Sequence, residues 1–101
     1  MTTSQRSDRA VAYGLAQRAI ADLKHAIYLV LLEAPDEGLQ NAQIGRTLGI
    51  YGGHAGHDGH IPRTLLEMLQ REDVVAQDVK TKRWSLRQHL DDTALSGSER
   101  S

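Results

Sequence analysis

The chain has 101 residues, of which 40% are apolar and 25% are charged, and its formal net charge is −1. This length fits one domain, and this balance of apolar and charged residues excludes a wholly disordered chain. The sequence has no cysteine, which excludes disulfides, thiolate metal sites and a cysteine nucleophile. A single tryptophan and no phenylalanine imply an aliphatic core, which favours helices over a β-sandwich.

Neither a secretory signal nor a membrane segment is expected. The first eight residues contain no apolar run, and the longest apolar run, 26–32, is too short to cross a bilayer. We therefore expect a cytoplasmic protein without a membrane partner.

The first predicted element is a long helix that begins at Asp8, with Ser7 as its cap, and ends before Pro35. We interpret residues 21–33 as the first core helix of the domain and residues 1–20 as a helical extension. The apolar face of the extension either packs on the C-terminal tail or forms the seam of a homodimer. That face is part of one stripe along the helix, formed by Val11, Leu15, Ala19, Leu23 and Ile27.

A turn over 35–38 separates this helix from a segment that reads L-Q-N-A-Q-I-G-R-T-L-G-I over 39–50. Asn41 or Gln40 is placed to cap a two-turn helix, and Gly49 is placed for a left-handed cap at its end. The apolar positions have the spacing of the first helix of a helix-turn-helix pair; they are Leu39, Ala42, Ile44 and Leu48.

A second amphipathic helix is predicted over 61–72, starting near His60, with Leu65, Leu66, Met68 and Leu69 on its buried face. A β-hairpin follows, with a strand over 74–77, a turn over 78–82 and a strand over 83–87. The second strand alternates, so Trp84 and Leu86 point inward and Arg83, Ser85 and Arg87 outward. Residues 88–101 form a polar tail that is expected to be partly disordered.

Together these elements resemble the winged helix-turn-helix superfamily of DNA-binding proteins, as found in MarR-like and ArsR-like regulators. The resemblance covers about residues 21–87, and Asp73 stands where the family commonly has a glycine after the second helix of the motif. It implies an α+β, mostly α fold: a small winged helix-turn-helix with an N-terminal helical extension and a two-stranded β wing. It also implies a nucleoid-associated transcription regulator that binds double-stranded DNA, as a homodimer and without a cofactor.

The resemblance also indicates which residues contact DNA. Arg63, Thr64 and Glu67 lie near the start of helix 61–72, the end that enters the major groove in helix-turn-helix docking. Arginine suits the acceptor edge of guanine, and threonine suits a phosphate or a thymine methyl. The basic residues of the wing, 78–83, are suited to phosphates; they are Lys80, Lys82 and Arg83.

The segment 49–59 is longer than the turn that usually joins the two helices of this motif. Its histidines follow one another at every third position, His54, His57 and His60. Imidazoles are adequate ligands for zinc, nickel or copper, but this spacing matches no established motif. Glycines before a helix N-terminus also suit a DNA phosphate, which makes His57 and His60 candidate DNA contacts. A plain loop remains equally open.

Two other functions stay open beside DNA binding. The net charge of −1 and Glu67 on the predicted reading face favour a winged helix that docks a partner protein. The histidine loop favours a metal-sensing regulator. No pattern predicts an enzyme, because no elbow motif surrounds a serine and the adjacent carboxyls Asp36 and Glu37 are typical of solvated turns.

Overall fold

The computed structural model describes the backbone of residues 2–52 and 58–90, and side chains from residue 7 onward in the same ranges. The two strands pair antiparallel, with Val75 opposite Leu86 and Gln77 opposite Trp84. The fold is α+β and mostly helical, as predicted. Its elements are α1 (Thr2–Leu32), α2 (Asn41–Leu48), α3 (His60–Arg71), β1 (Val75–Gln77) and β2 (Trp84–Leu86).

The buried core is aliphatic apart from one aromatic side chain, the indole of Trp84. All three helices and both strands contribute to it, so each element is held by burial of its apolar face. Trp84 and Leu86 both point inward, which confirms the predicted alternation of β2. The buried side chains are Ile27, Leu31, Ile44, Leu65, Leu66, Leu69, Val75, Trp84 and Leu86.

Helix α1 begins earlier than the sequence predicts. The predicted start was Asp8, with Ser7 as the cap, whereas the helix begins at Thr2. Residues 2–7 contain neither proline nor glycine, and extending an existing helix by one residue is far easier than nucleating a new one. A serine therefore does not by itself fix the start of a helix when residues that can continue the helix precede it.

Helices α2 and α3 end in the same backbone motif. After α2, Gly49 has φ +72°, and the N–H of Ile50 donates to the carbonyl of Gly45 at 2.8 Å. After α3, Asp73 has φ +62°, and the N–H of Val74 donates to the carbonyl of Leu69 at 2.9 Å. Both ends are Schellman motifs, in which a left-handed residue lets the chain turn back on the last turn of the helix. The aspartate thus takes the conformation for which glycine is usual.

The hairpin is also attached to the segment before α2. Leu39 and Trp84 exchange two backbone hydrogen bonds, of 2.9 and 2.7 Å, and form an isolated antiparallel bridge. Gly38, with φ +82°, lets the chain approach this closely, because a Cβ there would lie 2.4 Å from the carbonyl oxygen of Trp84. Leu39 therefore acts as a one-residue third strand beside β2.

Residues 87–90 turn into a helical conformation at the end of the described part, and residues 91–101 of the predicted tail lie outside it. The division of the chain into 1–20, 21–87 and 88–101 stays a prediction. No helix in the described ranges has both the length and the apolar character needed to cross a membrane.

Candidate nucleic-acid interface

Helix α3 has one buried face and one exposed face. Pro62, Leu65, Leu66 and Leu69 face the core. Side chains three or four residues apart share a helix face, so the exposed residues on the opposite side form one surface, which we call the α3 outer face. It consists of His60, Arg63, Glu67 and Arg71.

The charged side chains of the α3 outer face form no ion pairs within the described part of the chain. There, the one ion pair joins Lys24 Nζ to Glu72 Oε2 at 2.6 Å, and it ties α1 to the residue after α3. Arg63 and Glu67 stand one helical turn apart and are both exposed. Their donors and acceptors are therefore available to a partner molecule.

Thr64 lies at the edge of this surface. Its side chain is half-buried, and its hydroxyl donates to the carbonyl of His60 at 2.9 Å. The hydroxyl hydrogen is therefore used within the helix, which leaves the methyl group and the oxygen lone pairs for any other contact.

The tip of the hairpin is held by a single carboxylate. Asp78 Oδ1 accepts the backbone N–H groups of Lys80 and Thr81, both at 2.8 Å. These two bonds, first that of Thr81 and then that of Lys80, hold the pKa of Asp78 below its ordinary value of 3.8. The N–H of Lys82 donates to the backbone carbonyl of Asp78 at 2.9 Å. The turn is therefore fixed, while the side chains of Lys80 and Lys82 stay exposed.

Lys82 occupies an unfavourable backbone conformation. Its φ is +64°, and it is one of two non-glycine residues with positive φ in the described ranges, the other being Asp73. Such a conformation costs a residue with a Cβ about 1–2 kcal/mol. A lysine at this position is therefore not explained by the stability of the turn, and a role for its ammonium group is the alternative.

Arg83 is less exposed than its predicted outward placement implies. It is half-buried, and its Nη1 donates to the carbonyl of Gly38 at 3.1 Å. Because β2 lies between β1 and the segment at Leu39, a side chain on its outer face still meets the neighbouring turn. The guanidinium has five donors, so this bond leaves others for a phosphate.

The long connection between α2 and α3 is closed at its base. The N–H of Gly59 donates to the carbonyl of Tyr51 at 2.7 Å, and Asn41 Nδ2 donates to the carbonyl of Gly59 at 3.0 Å. The described residues on the two sides of segment 53–57 are thus joined through Tyr51 and Gly59.

Tyr51 is the support of this closure. A Cβ on Gly59 would lie 2.8 Å from Tyr51 Cε1, and one on Gly45 would lie 2.9 Å from Tyr51 Cβ. The guanidinium of Arg46 lies 4.7 Å from the centre of the tyrosine ring, within the range of a cation–π contact. Two glycines therefore make room for the one aromatic ring that seals the base of the loop.

The predicted histidine site is only partly described. His54 and His57 lie outside the described residues, and His60 is the exposed first residue of α3. Within residues 2–52 and 58–90, no group of three histidine, aspartate or glutamate side chains is arranged to hold a metal ion. The metal-sensing alternative stays a prediction.

Sequence reasoning did not include Asn41 and Tyr51 in the site, because their contacts with Gly59 join residues that are not neighbours along the chain.

No protein-family model, no curated protein and no solved structure matches this chain. The assignment of a function therefore depends on the residues and on the geometry described above.

Proposed function

We propose that the chain is a winged helix-turn-helix protein that binds double-stranded DNA, with α3 as its recognition helix and the hairpin as its wing. The order of elements supports this proposal. α1 is followed by the bridge residue Leu39, then by α2 and α3, and then by the two strands of the hairpin. The Leu39–Trp84 bridge joins the segment before α2 to the hairpin, so the helices and the proposed wing form one unit.

The observation that carries the proposal is the closure between Tyr51 and Gly59. It brings Tyr51 and Gly59 together beside the start of α3, despite the length of segment 49–59, and this supports a helix-turn-helix pair. It also leaves the start of α3 exposed, at the end that enters the major groove in helix-turn-helix proteins. Gly59 has no side chain to cap α3, and Pro62 has no N–H, so the N–H groups of His60 and Ile61 are the ones in the first turn that suit a backbone phosphate.

The base contacts would come from the α3 outer face. Arg63, near the start of the helix, would donate two hydrogen bonds to the O6 and N7 atoms of a guanine. Glu67 lies one turn further on and would accept a bond from the N4 amino group of a cytosine. Thr64, at the edge of this face, would contact a thymine methyl. These contacts make binding dependent on the DNA sequence.

The phosphate contacts would come from the hairpin. The Asp78 turn fixes the backbone from which Lys80 and Lys82 project. Binding would therefore cost little conformational entropy beyond that of the two lysine side chains. The free donors of Arg83, together with His57 and His60, would add to the same set. Such contacts set position and affinity but not sequence preference.

The proposal is tested by comparing two arginine-to-alanine variants in a selection of bound duplexes from a random pool. Arg63→Ala removes a predicted base contact, whereas Arg18→Ala removes the same charge from an exposed position on α1. We expect Arg63→Ala to relax the preference at one base pair, with a loss of about 1–3 kcal/mol for the preferred sequence. Arg18→Ala should select the same sequences as the parent. A parent protein that enriches no sequence would contradict base reading by α3.

A protein-docking winged helix is the second candidate, because Glu67 stands exposed between Arg63 and Arg71 on the α3 outer face. An acidic group at the centre of this surface repels DNA phosphates and suits a partner with a complementary basic group. The Glu67→Gln variant distinguishes the two functions. Tighter binding to random duplex supports DNA contact by this face, and an unchanged affinity favours the docking function.

A further inference from the structure

The outer face of the hairpin, opposite the core, carries small side chains at its middle. Trp84 and Leu86 of β2 are buried in the core, and successive residues of a strand point to opposite faces. Ser85, between them, therefore lies on the outer face together with Ala76, its partner across the sheet. Both are half-buried. Two small residues in this position leave space above the sheet.

Turn 35–38 forms a wall beside this face. The two backbone bonds of the Leu39–Trp84 bridge hold the turn against β2, and a Cβ on Gly38 would lie 2.5 Å from Ser85 Oγ. The wall and the sheet enclose a cavity of about 460 Å³, which we call the outer-hairpin cavity. Its volume lies in the range of about 300–1,000 Å³ that is usual for small-molecule sites.

The outer-hairpin cavity is lined by groups of both charges. Its polar lining includes Asp36, Glu37, Asp78, Thr81, Arg83 and Ser85. Three carboxylates and one guanidinium give this lining a net charge of −2. Such a cavity disfavours a phosphate and favours a ligand with more positive than negative charges.

The charges of the lining do not neutralise one another. In the part of the chain that the structure describes, the one ion pair joins Lys24 to Glu72. Arg83 therefore has no carboxylate partner there, although three carboxylates line the same cavity. Asp36 and Glu37 are exposed, and their carboxylates form no hydrogen bond with the described residues. The opposite charges are thus held apart and available to a ligand.

Other polar atoms of the lining keep free donors or acceptors. Asp78 uses Oδ1 for the two backbone N–H groups of its turn, which leaves Oδ2. Thr81 Oγ1 accepts the backbone N–H of Arg83 at 3.2 Å, which leaves its hydroxyl hydrogen. The guanidinium of Arg83 gives one of its five donors to Gly38. A ligand would therefore find both donors and acceptors in the cavity.

The spacing of the carboxylates suits an organic molecule better than a metal ion. Within residues 2–52 and 58–90, no three histidine, aspartate or glutamate side chains are arranged to hold a metal. Charges that line one cavity without meeting leave room for a molecule whose own charges are separated. Ala76, Val79 and Leu90 add apolar surface to the lining, which suits a methylene chain between charged groups.

We propose that the outer-hairpin cavity binds a basic amino acid, a small molecule with one carboxylate and two cationic groups. Its carboxylate would accept hydrogen bonds from the guanidinium of Arg83, in a pairing that is commonly bidentate, and from the hydroxyl of Ser85. Its two cationic groups would lie against the carboxylates of Asp36, Glu37 and Asp78. The excess of positive charge in the ligand matches the net negative charge of the lining.

The exposure of these groups sets the expected affinity. Ion pairs between exposed groups contribute little, so the loss of one such pair should weaken binding about two- to fivefold. Arg83 is half-buried, and hydrogen bonds between charged groups are stronger, so the loss of the ligand carboxylate should weaken binding about tenfold. For a ligand of this size we expect a dissociation constant on the order of 1 mM.

The test is a titration of the isotope-labelled full chain with L-lysine, followed through the amide shifts in NMR spectra at constant ionic strength. The ligand is added to about 20 mM, well above the expected dissociation constant. We expect saturable shifts that are largest in turn 35–38 and in the hairpin. Cadaverine lacks the carboxylate of lysine and should bind about tenfold more weakly, and norleucine lacks the side-chain ammonium and should bind about two- to fivefold more weakly. The absence of a saturable shift with L-lysine, or an equal affinity for either analogue, would overturn the proposal.

A pair of variants tests the location of the site. Glu37→Gln removes one carboxylate from the cavity, whereas Glu33→Gln removes the same charge from an exposed residue that does not line it. Neither side chain belongs to the core, so both variants should fold as the parent does. Glu37→Gln should raise the dissociation constant for L-lysine about two- to fivefold, and Glu33→Gln should leave it unchanged. Equal constants for the two variants would overturn the placement of a cationic group at this turn. The titrations contain no DNA, so this proposal and the DNA proposal fail independently.

Discussion

Replacing Lys82 by glycine separates a role in DNA binding from a role in folding. Lys82 has φ +64°, a conformation that costs a residue with a Cβ about 1–2 kcal/mol and that glycine adopts freely. Glycine also gives the unfolded chain more freedom, which offsets about 0.5–1 kcal/mol of this gain. We therefore expect Lys82→Gly to leave the free energy of unfolding unchanged or to raise it by up to about 1 kcal/mol.

The same variant should weaken binding to duplex DNA. Each phosphate contact changes the logarithm of the binding constant by about 0.9 per tenfold change in salt, so its loss weakens binding about eightfold at 0.1 M salt. The effect applies to each bound copy. Because the loss is electrostatic, it should be the same for every DNA sequence.

The two effects are measured by fluorescence anisotropy with a labelled duplex and by thermal unfolding followed through the fluorescence of Trp84. Asp73→Gly is the matched control, since it makes the same backbone change at φ +62° before the hairpin. It should not lower the free energy of unfolding, and it should not weaken binding. If Lys82→Gly binds DNA as the parent does, the phosphate contact is refuted. If it unfolds at a clearly lower temperature, the account of strain at Lys82 is refuted.

Three further predictions concern the scaffold. Asp73→Gly should leave the free energy of unfolding unchanged or raise it by up to about 1 kcal/mol, which corresponds to at most about 4–8 °C in melting temperature in calorimetry. Gly45→Ala should lower the free energy of unfolding by about 1–2 kcal/mol in urea titration, since its Cβ would lie 2.9 Å from Tyr51 and 3.0 Å from Pro62; an unchanged midpoint would contradict this close packing. The lowered pKa of Asp78 means that its carboxylate stabilises the fold above pH 3.8 and that this contribution is lost as the pH falls through the lowered value. Asp78→Asn should therefore melt below the parent at pH 7 and together with it in strong acid, whereas a constant difference would refute the role of the charge.

The helices and the hairpin were predictable because their signals are local. Gly49 stops α2 through its own conformation, and the alternation of Trp84 and Leu86 identifies β2 by itself. The bounds of α3 were predicted to within one residue, since Pro62 and the leucines follow one helical period. Asp73 stands where the resembled family commonly has a glycine, and it takes the left-handed conformation, with φ +62°.

The parts that were not predicted depend on contacts between distant residues. The bridge from Leu39 to Trp84 and the bond from Gly59 to Tyr51 join backbone groups with no side-chain signature. The sequence of segment 49–59 therefore gave no indication that Tyr51 and Gly59 are joined by a hydrogen bond. The half-burial of Arg83 was not predicted for the same reason, because the carbonyl of Gly38 that receives its bond comes from another part of the chain.

The central claim, that this fold binds duplex DNA through its hairpin and α3, is tested most directly by the salt dependence of binding to a random duplex. Lys80 and Lys82 alone predict a slope of about −2 for each bound copy in a plot of log binding constant against log salt, and about −4 for a dimer. The account predicts measurable binding at low salt that weakens with such a slope. No binding at low salt, or binding that does not change with salt, would contradict it.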